Sequence, residues 1–300
     1  MIGFFRLYSV TAPVVKEAGG WRAFSIWRRW NLYYAGLMAK AAEQCGWSPG
    51  EPSDDVVWQA LSAVYFHYRK FPKEPPGEAP PAMAPLLSVL RWALEHICER
   101  ELAEAAEKYV QMLKAPLYRA YRQALYRRYL APLVRTHKVE SVLSVGGGLV
   151  EPYDLLEVAD RENIHFELYV QEVDKRVAEA LAEEGFYVYL GDVRQLLVDG
   201  TFGKTSFDFA TVQAVLHWTE DPVQLLADVA KIAKYVLVSQ GYGPHNAAIM
   251  VATMLMGAKR FIASPAEIDA WVKSAGLAPV KPVIRSSGMY IGLFRSTLFK

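Results

Sequence analysis

From residue 139 onwards, the sequence alternates between short β-branched segments and amphipathic segments, and this alternation constrains the fold more than any other feature. The predicted strands cover 139–145, 166–170, 187–190, 207–212, 235–239, 280–285 and 290–295. The predicted helices cover 152–159, 175–184, 222–233, 246–259 and 265–275. The pattern predicts an α/β domain in which helices cover both faces of a mostly parallel sheet.

The first 137 residues carry a helical pattern instead. Apolar residues recur at helical spacing, and the predicted helices cover 22–44, 53–71, 86–113 and 116–133. Six prolines within 72–85 predict an extended connector, because proline fixes the backbone and removes hydrogen-bond donors. We therefore expect two domains, an all-helical one over 1–137 and an α/β one over 138–300.

The charge distribution supports two modules. The formal net charge is +7 over residues 1–138 and −6 over residues 139–300. A basic stretch over 114–138 holds seven Lys and Arg residues and no acid, with tyrosines interleaved. Such a stretch can bind nucleic acid. It can equally be a helix that packs its tyrosines inward and bridges to the acidic module.

Several protein classes do not fit this composition. Two cysteines are too few for a disulfide scaffold or a cysteine-rich zinc site, and they are consistent with a reducing cytosol. No targeting segment is evident, and the longest apolar run, 247–258, is shorter than the roughly 20 residues that span a bilayer. No cluster at metal-ligand spacing appears, so no metal is implied. We expect a cytoplasmic protein without a membrane span.

Glycines follow the first predicted strand, where Gly146, Gly147 and Gly148 end the segment V-L-S-V-G-G-G. In open α/β sheets ligands bind beyond the carboxyl ends of the strands, and glycines there let a ligand approach the backbone. These three residues are therefore candidates for cofactor binding. A tight structural turn is the alternative, because a dinucleotide fingerprint requires Gly or Ala where Glu151 stands.

Acidic residues follow the second and third predicted strands. Glu172 and Asp174 follow the second strand, where a carboxylate can accept hydrogen bonds from both hydroxyls of a ribose. Asp192 and Val193 follow the third strand, where a carboxylate and a backbone amide can bind an adenine ring. The alternatives are a helix cap at Asp174 and a simple turn at Asp192.

Two more polar residues follow the fourth predicted strand. Gln213 ends the strand, and His217 lies shortly beyond it. Histidine has an ordinary pKa near neutrality, so His217 is a candidate general base. The alternative is a histidine that only packs at the entry to the next helix.

The four strand ends together resemble the class I S-adenosylmethionine-dependent methyltransferases. The matching segments are V-L-S-V-G-G-G, L-Y-V-Q-E-V-D, Y-L-G-D-V and F-D-F-A-T-V-Q-A-V-L-H-W-T-E-D-P, and the resemblance covers about 139–296. It implies a Rossmann-like sheet with an antiparallel last strand, S-adenosylmethionine as cofactor and in-line methyl transfer. The family's roles would fall on Gly146 and Gly148 (methionine part), Glu172 or else Asp174 (ribose), Asp192 and Val193 (adenine), Gln213 (methionine part or acceptor) and His217 (base).

The resemblance also bears on the partners. Small-molecule methyltransferases of this kind often carry a helical N-terminal segment as a lid or a dimer contact. The helical module here is rich in aromatic residues, and Met250, Met254 and Met256 add adaptable apolar side chains. We therefore expect a small organic acceptor and allow for a homodimer.

Other hypotheses remain open at this stage. The basic stretch 114–138 would suit an RNA or protein methyltransferase. Ser144 stands where the family has an acid and Val150 where it has a third glycine, which would suit a non-catalytic binding protein of the same fold. A nicotinamide dehydrogenase is disfavoured by Glu151.

Overall fold

An eight-stranded sheet organises the second half of the chain in the computed structural model, which describes residues 11–99, 104–202, 206–286 and 288–299. Its strands are β1 (Ser141–Val145), β2 (Glu167–Glu172), β3 (Tyr187–Leu190), β4 (Phe207–Gln213), β5 (Ala233–Gly241), β6 (Leu277–Pro279), β7 (Ile284–Ser286) and β8 (Met289–Ser296). The strand order is β3-β2-β1-β4-β5-β8-β6, and β7 also pairs with β8. Strands β1 to β5 are parallel, whereas β8 runs antiparallel to β5, β6 and β7. The predicted sheet and its antiparallel last strand are confirmed.

Helices connect the strands and form the N-terminal region. They are α1 (Trp21–Gln44), α2 (Val56–Tyr68), α3 (Ala84–Glu95), α4 (Ala105–Lys114), α5 (Pro116–Tyr129), α6 (Ala131–Arg135), α7 (Glu151–Glu162), α8 (Lys175–Glu183), α9 (Val193–Val198), α10 (Pro222–Ile232), α11 (Ala247–Leu255) and α12 (Pro265–Ser274). Side-chain caps fix several starts, because a capping oxygen satisfies amides that lack an intrahelical partner. Asp221 caps α10, and Ser264 with Glu267 forms a capping box on α12. Within the described residues, no helix is long and apolar enough to cross a membrane.

Two compact units divide the chain. The sheet unit comprises Arg122–Gly241 and Ser264–Lys300, and the helical unit comprises Thr11–Tyr121 and Tyr242–Ala263. The predicted boundary at 137/138 differs from this division in two places. Residues 122–137 belong with the sheet because Arg122 and Tyr126 are bonded to α7, and 242–263 belongs with the helices because α11 packs against α1, α2 and α3.

The helical unit is built around α11, which is apolar on nearly all sides. Its buried residues include Val251, Ala252 and Met254, and they pack with apolar residues of the neighbouring helices. Met254 and Met256 thus belong to the core of this unit, while Met250 is half-buried. Such packing explains why an apolar run too short for a membrane is nevertheless stable as a helix.

A disulfide joins Cys45, directly after α1, to Cys98, beyond the end of α3. Their Cα atoms are 5.7 Å apart, within the usual range for a disulfide. This pairing differs from the reduced cysteines that the sequence led us to expect. The reason is tertiary: the ends of two helices far apart in sequence meet within the helical unit.

Gly36 in α1 provides a stability prediction. A Cβ at this position would lie 2.6 Å from Cβ and 2.9 Å from Cγ of Phe71. Alanine is favoured over glycine by about 1 kcal/mol within a helix, but overpacking of a tight contact, here between two half-buried residues, costs about 1–3 kcal/mol. We therefore expect Gly36→Ala to lower the thermal midpoint, and Gly36→Ala combined with Phe71→Ala to recover part of the loss. A raised midpoint in the single variant would contradict the contact.

Candidate functional site

The predicted site residues follow neighbouring strands at one edge of the sheet. In the register of the sheet, Val145 at the end of β1 stands opposite Gln171 in β2 and Val212 in β4, and Glu172 stands opposite Leu190 in β3. The segments that follow these strands therefore begin side by side. The structure brings together the glycine turn, the end of β2, the turn after β3 and the end of β4.

The glycine turn has a conformation that depends on its glycines. Gly146 and Gly148 have φ values of 59° and 58°, which side chains other than glycine rarely adopt. Gly147 is restricted by space instead, because an added Cβ would lie 2.6 Å from Oε2 of Glu151 and would clash with Oγ of Ser144. A Cβ at Gly148, in contrast, would meet no atom within 4 Å. The turn is packed tightly on its inner side and open at Gly148.

A buried carboxylate lies beneath this turn. Glu151, at the start of α7, is 3% exposed, and the hydroxyl of Tyr126 in α5 lies 2.7 Å from its Oε1. Burial raises the pKa of Glu151, while the neighbouring hydroxyls of Thr211, Tyr126 and Ser144 and the charge of Arg122 lower it. The Ser144 and Thr211 hydroxyls do not themselves reach strict hydrogen-bond geometry with a described residue. An acid is therefore present under the glycine turn although Ser144 stands where the family has one.

Val150, which stands where the family has its third glycine, occupies a position that does not require glycine. Val150 has φ −127°, and a negative φ does not call for glycine. It precedes Glu151 as the first residue outside α7. The two departures from the family's pattern, Ser144 and Val150, are therefore both accommodated by the local structure.

Glu172 ends β2 with a buried side chain. It is 6% exposed, and its Oε1 accepts hydrogen bonds from the backbone amides of Val173, at 2.7 Å, and Asp174, at 3.1 Å. These bonds fix the carboxylate at the edge of the sheet. Beside it, the side-chain amide of Gln171 donates to the carbonyl of Gly191 at 2.6 Å, which ties the end of β2 to the turn after β3.

Asp174 and Asp192 both serve as helix caps. Asp174 accepts hydrogen bonds from the amides of Arg176 and Val177 at the start of α8, and the hydrogen bond from the Arg176 guanidinium is the main cause of its lowered pKa. Asp192 accepts from the amide of Arg194 at the start of α9. The helix-cap alternative for Asp174 is thus what the structure contains. Asp192 remains exposed and keeps its second oxygen outside that bond.

Two apolar side chains at this edge were not anticipated from the sequence. Val173, between Glu172 and Asp174, is 63% exposed, and Leu190 at the end of β3 is 46% exposed. Exposed apolar groups at the carboxyl edge of a parallel sheet offer a surface on which a flat ring can pack. Val193, in contrast, has a buried side chain, so only its backbone can contribute to a site.

Gln213 and His217 follow the end of β4 and have different surroundings. The hydroxyl of Tyr126 lies 2.8 Å from Oε1 of Gln213, so Gln213 joins the same network as Glu151. Because that hydroxyl carries one proton, it donates to one of the two acceptors at a time. His217 is 7% exposed, and Nε2 of Gln240 lies 2.9 Å from its Nδ1.

Burial lowers the pKa of His217 to about 4. A general base works best when its pKa lies near the working pH. The base role that the family resemblance suggests for His217 therefore stays a prediction, and this environment opposes it.

Comparisons with known proteins agree on the fold. Neither the models of known protein families nor the curated proteins give a match to the sequence. Among solved structures, the CurJ carbon methyltransferase aligns with a TM-score of 0.67 and 11% identity, over 97% of this chain and 98% of that one. The trans-methyltransferase CalH in complex with SAH aligns with a TM-score of 0.61 and 14% identity, over 91% of this chain and 90% of that one. An O-methyltransferase family 2 protein from Planctomyces limnophilus DSM 3776 in complex with apigenin aligns with a TM-score of 0.55 and 15% identity, over 91% of this chain and 96% of that one.

The similarity extends over nearly the whole length of all three chains, so it includes the helical region as well as the sheet. At 11–15% sequence identity such a likeness establishes the fold but does not establish the activity. The chain has the fold of the class I S-adenosylmethionine-dependent methyltransferases.

Proposed function

We propose that this protein is an S-adenosylmethionine-dependent methyltransferase that acts on a small organic acceptor. The observation that carries the proposal is the placement of Gly146–Gly148, Glu172 and Asp192 after three neighbouring parallel strands. Ligands of open α/β sheets bind at this edge. The fold of the chain is consistent with this assignment, and the site residues make it specific.

The side chains present fit this cofactor. The glycine turn and the start of α7 offer close-approach backbone for the methionine part, and the Glu172 carboxylate suits the two ribose hydroxyls. Val173 offers an apolar surface for the adenine ring. The Asp192 carboxylate and the backbone amide of the next residue, Val193, offer an acceptor and a donor for the polar edge of that ring. When bound, S-adenosylmethionine supplies a methyl group that its positively charged sulfur already activates. The protein then has to orient the acceptor and exclude water.

The proposed acceptor class follows from the neighbours and from the state of the basic stretch. CurJ is described as a carbon methyltransferase, and the Planctomyces protein was solved with apigenin. Within 114–138, Arg122 is buried in an ion pair with Asp154, Arg135 pairs with Glu162, and Tyr126 and Tyr129 are buried. These contacts favour the packing alternative for this stretch over a nucleic-acid surface.

Dimer formation and a cytoplasmic location stay predictions. The disulfide between Cys45 and Cys98 bears on the location, because disulfides are rare in cytosolic proteins and frequent in oxidising compartments and in some hyperthermophiles.

Calorimetric titration with S-adenosylhomocysteine tests the cofactor site. We expect affinity in the micromolar range for the wild type, no binding of NAD, and an affinity about 100-fold lower for Glu172→Ala. The magnitude follows because a hydrogen bond to a charged group contributes about 1.5–3 kcal/mol, and 1.4 kcal/mol is a factor of ten.

Glu167→Ala is the matched control, since Glu167 is an exposed glutamate at the opposite end of the same strand. It should bind like the wild type. Absence of binding to the wild type, or equal binding by Glu172→Ala, would contradict the proposal.

A further inference from the structure

The imidazole ring of His217 is held by the side chain of a residue in the neighbouring strand. Gln240, in β5, approaches Nδ1 of His217 with its Nε2 at 2.9 Å. Both side chains are buried, with 7% of His217 and 3% of Gln240 exposed. The bond therefore lies away from water and fixes the ring in one orientation.

Two backbone groups determine which way the Gln240 amide points. Its Oε1 accepts the backbone amide of Leu216 at 3.1 Å, and its Nε2 donates to the carbonyl of Gly241 at 3.1 Å. Rotating the amide by half a turn would bring its NH2 group against the Leu216 amide, which is also a donor, and its oxygen against the Gly241 carbonyl, which is also an acceptor. Nε2 of Gln240 is thus the donor toward His217, and Nδ1 must be the acceptor.

A neutral histidine that accepts at Nδ1 carries its proton on Nε2. In His217 this Nε2 is buried and has no hydrogen-bond partner among the described residues. A buried donor without a partner costs about 1–3 kcal/mol. Such a group is costly to keep unless a ligand supplies the acceptor, and the ring lies in the turn after β4, at the edge of the sheet where ligands bind.

We propose that His217 donates a hydrogen bond from Nε2 to an oxygen of the methyl acceptor, and that Gln240 is the positioning residue that fixes this donor. The inference rests on the proposed methyltransferase function. His217 then takes no proton from the acceptor. The acceptor is a compound with an acidic hydroxyl, a phenol or an enol, which loses its proton to water and binds as the oxygen anion. The bond from Nε2 leaves another lone pair of that oxygen, or the conjugated carbon of an enolate, to form the bond to the methyl group.

The electrostatic surroundings agree with a donor that stays neutral. Burial is the largest cause of the lowered pKa of His217, at about 4, and a bond donated to Nδ1 also favours the neutral ring. No charged side chain among the described residues contributes to this shift. Between pH 5.5 and 8 the ring is therefore expected to keep one proton, on Nε2.

The protonation state can be measured on the protein without any ligand. The chain has six histidines, so two-bond ¹⁵N–¹H correlation spectra of the ring nitrogens are simple, and the signal lost in His217→Gln assigns His217. We expect the Nε2–H tautomer from pH 5.5 to 8, while exposed histidines in the same spectra provide the reference for titration. An Nδ1–H tautomer, or a midpoint near 6.5, would overturn the proposal.

Gln240→Glu tests the positioning role. A carboxylate can only accept, so Nδ1 of His217 must then carry a proton, and we expect the ring to change tautomer and to titrate nearer neutrality. Gln59→Glu is the matched control, because the Gln59 amide also donates to a backbone carbonyl but lies at the surface, and it should leave the His217 signal unchanged. An unchanged tautomer in Gln240→Glu would refute the role of Gln240.

The donor role is separable from a base role by activity. The assay uses a panel of substituted phenols and β-ketoesters and measures kcat/KM as a function of pH. The midpoint of each pH profile should follow the pKa of the acceptor's own hydroxyl. We expect kcat/KM to fall about 10- to 100-fold in His217→Leu, and less in His217→Gln, whose amide can still donate. Three results would each overturn the proposal. They are an equal loss of kcat/KM in both variants, a pH profile of kcat/KM whose midpoint is the same for every acceptor, and no methylation of the panel by protein that binds S-adenosylhomocysteine. Failure to bind S-adenosylhomocysteine would instead refute the proposed function and leave the tautomer result standing.

Discussion

Arg122→Met is expected to lower the free energy of unfolding by about 3–5 kcal/mol. Arg122 is 4% exposed, and its Nε and Nη2 both lie 2.5 Å from Oδ2 of Asp154, which is fully buried. Removing the guanidinium leaves the Asp154 carboxylate buried without this counterion, and Nε2 of Gln123, at 3.5 Å, is too far away to replace it. Urea unfolding followed by circular dichroism measures the loss. The shift in the midpoint gives the change in stability, provided that the free energy of unfolding depends on urea concentration with the same slope in both proteins.

Two further variants separate the buried charge from the loss of a large side chain. Arg122→Met combined with Asp154→Leu should recover most of the stability, because an apolar pair of similar volume often replaces a buried ion pair without loss. Arg135→Met is the matched control: Arg135 pairs with Glu162 while half exposed, and such a pair contributes at most about 1 kcal/mol. If Arg122→Met cost no more than Arg135→Met, the buried pair would not hold α5 to α7.

Gly147→Ala is expected to lower the affinity for S-adenosylhomocysteine by about 100-fold. The added methyl group would stand 2.6 Å from Oε2 and 2.8 Å from Cβ of Glu151, so the turn must shift away from α7. A displacement of about 1 Å in a positioning element can cost a factor of about 100 in reaction rate, and we expect a loss of similar size in affinity here. The strained contact should also reduce stability by about 1–3 kcal/mol, which the thermal midpoint reports.

Gly148→Asn is the control for this prediction within the same turn. Gly148 needs a left-handed conformation, which asparagine tolerates, and a side chain there points into open space. Stability in this variant should change by less than about 1 kcal/mol. Tight binding by Gly147→Ala would show that the packing beneath the turn does not support a cofactor.

The sheet and its order of elements could be predicted from the sequence because they depend on local patterns. Strand β3 was placed at its observed bounds, and the caps Asp221 and Ser264 fixed the starts of α10 and α12. Boundaries failed where a competing local signal was present. The second helix begins at Val56 with Asp55 as its cap, whereas the predicted helix begins at residue 53. The Ser53 hydroxyl accepts the amide of Asp55, so Ser53 lies before the helix.

The sequence predicts that the candidate site residues follow neighbouring strands, and the sheet has this arrangement. The side-chain contacts among these residues could not be predicted. Tyr126, Glu151 and Gln240, in contrast, act through partners far away in sequence, and only the folded chain brings them together. Glu151 offered one signal, an acid close to the position where Ser144 replaces the family's acid.

The domain boundary could not be read from periodicity alone. A helical pattern shows that α11 is apolar, but it does not show which apolar surface the helix will contact. The same limit applies to Cys45 and Cys98, whose separation in sequence says nothing about the approach of two helix ends.

The excursion of 242–263 into the helical unit means that neither unit is one continuous piece of the gene. A fragment that stops at residue 121 would lack the helix around which its own core is built, and would expose the apolar surfaces of α1, α2 and α3 that pack against it. Exchange of the N-terminal region with that of a related protein must therefore carry two segments, not one. A single crossover near residue 121 would combine the first segment of the helical unit from one protein with its second segment from another.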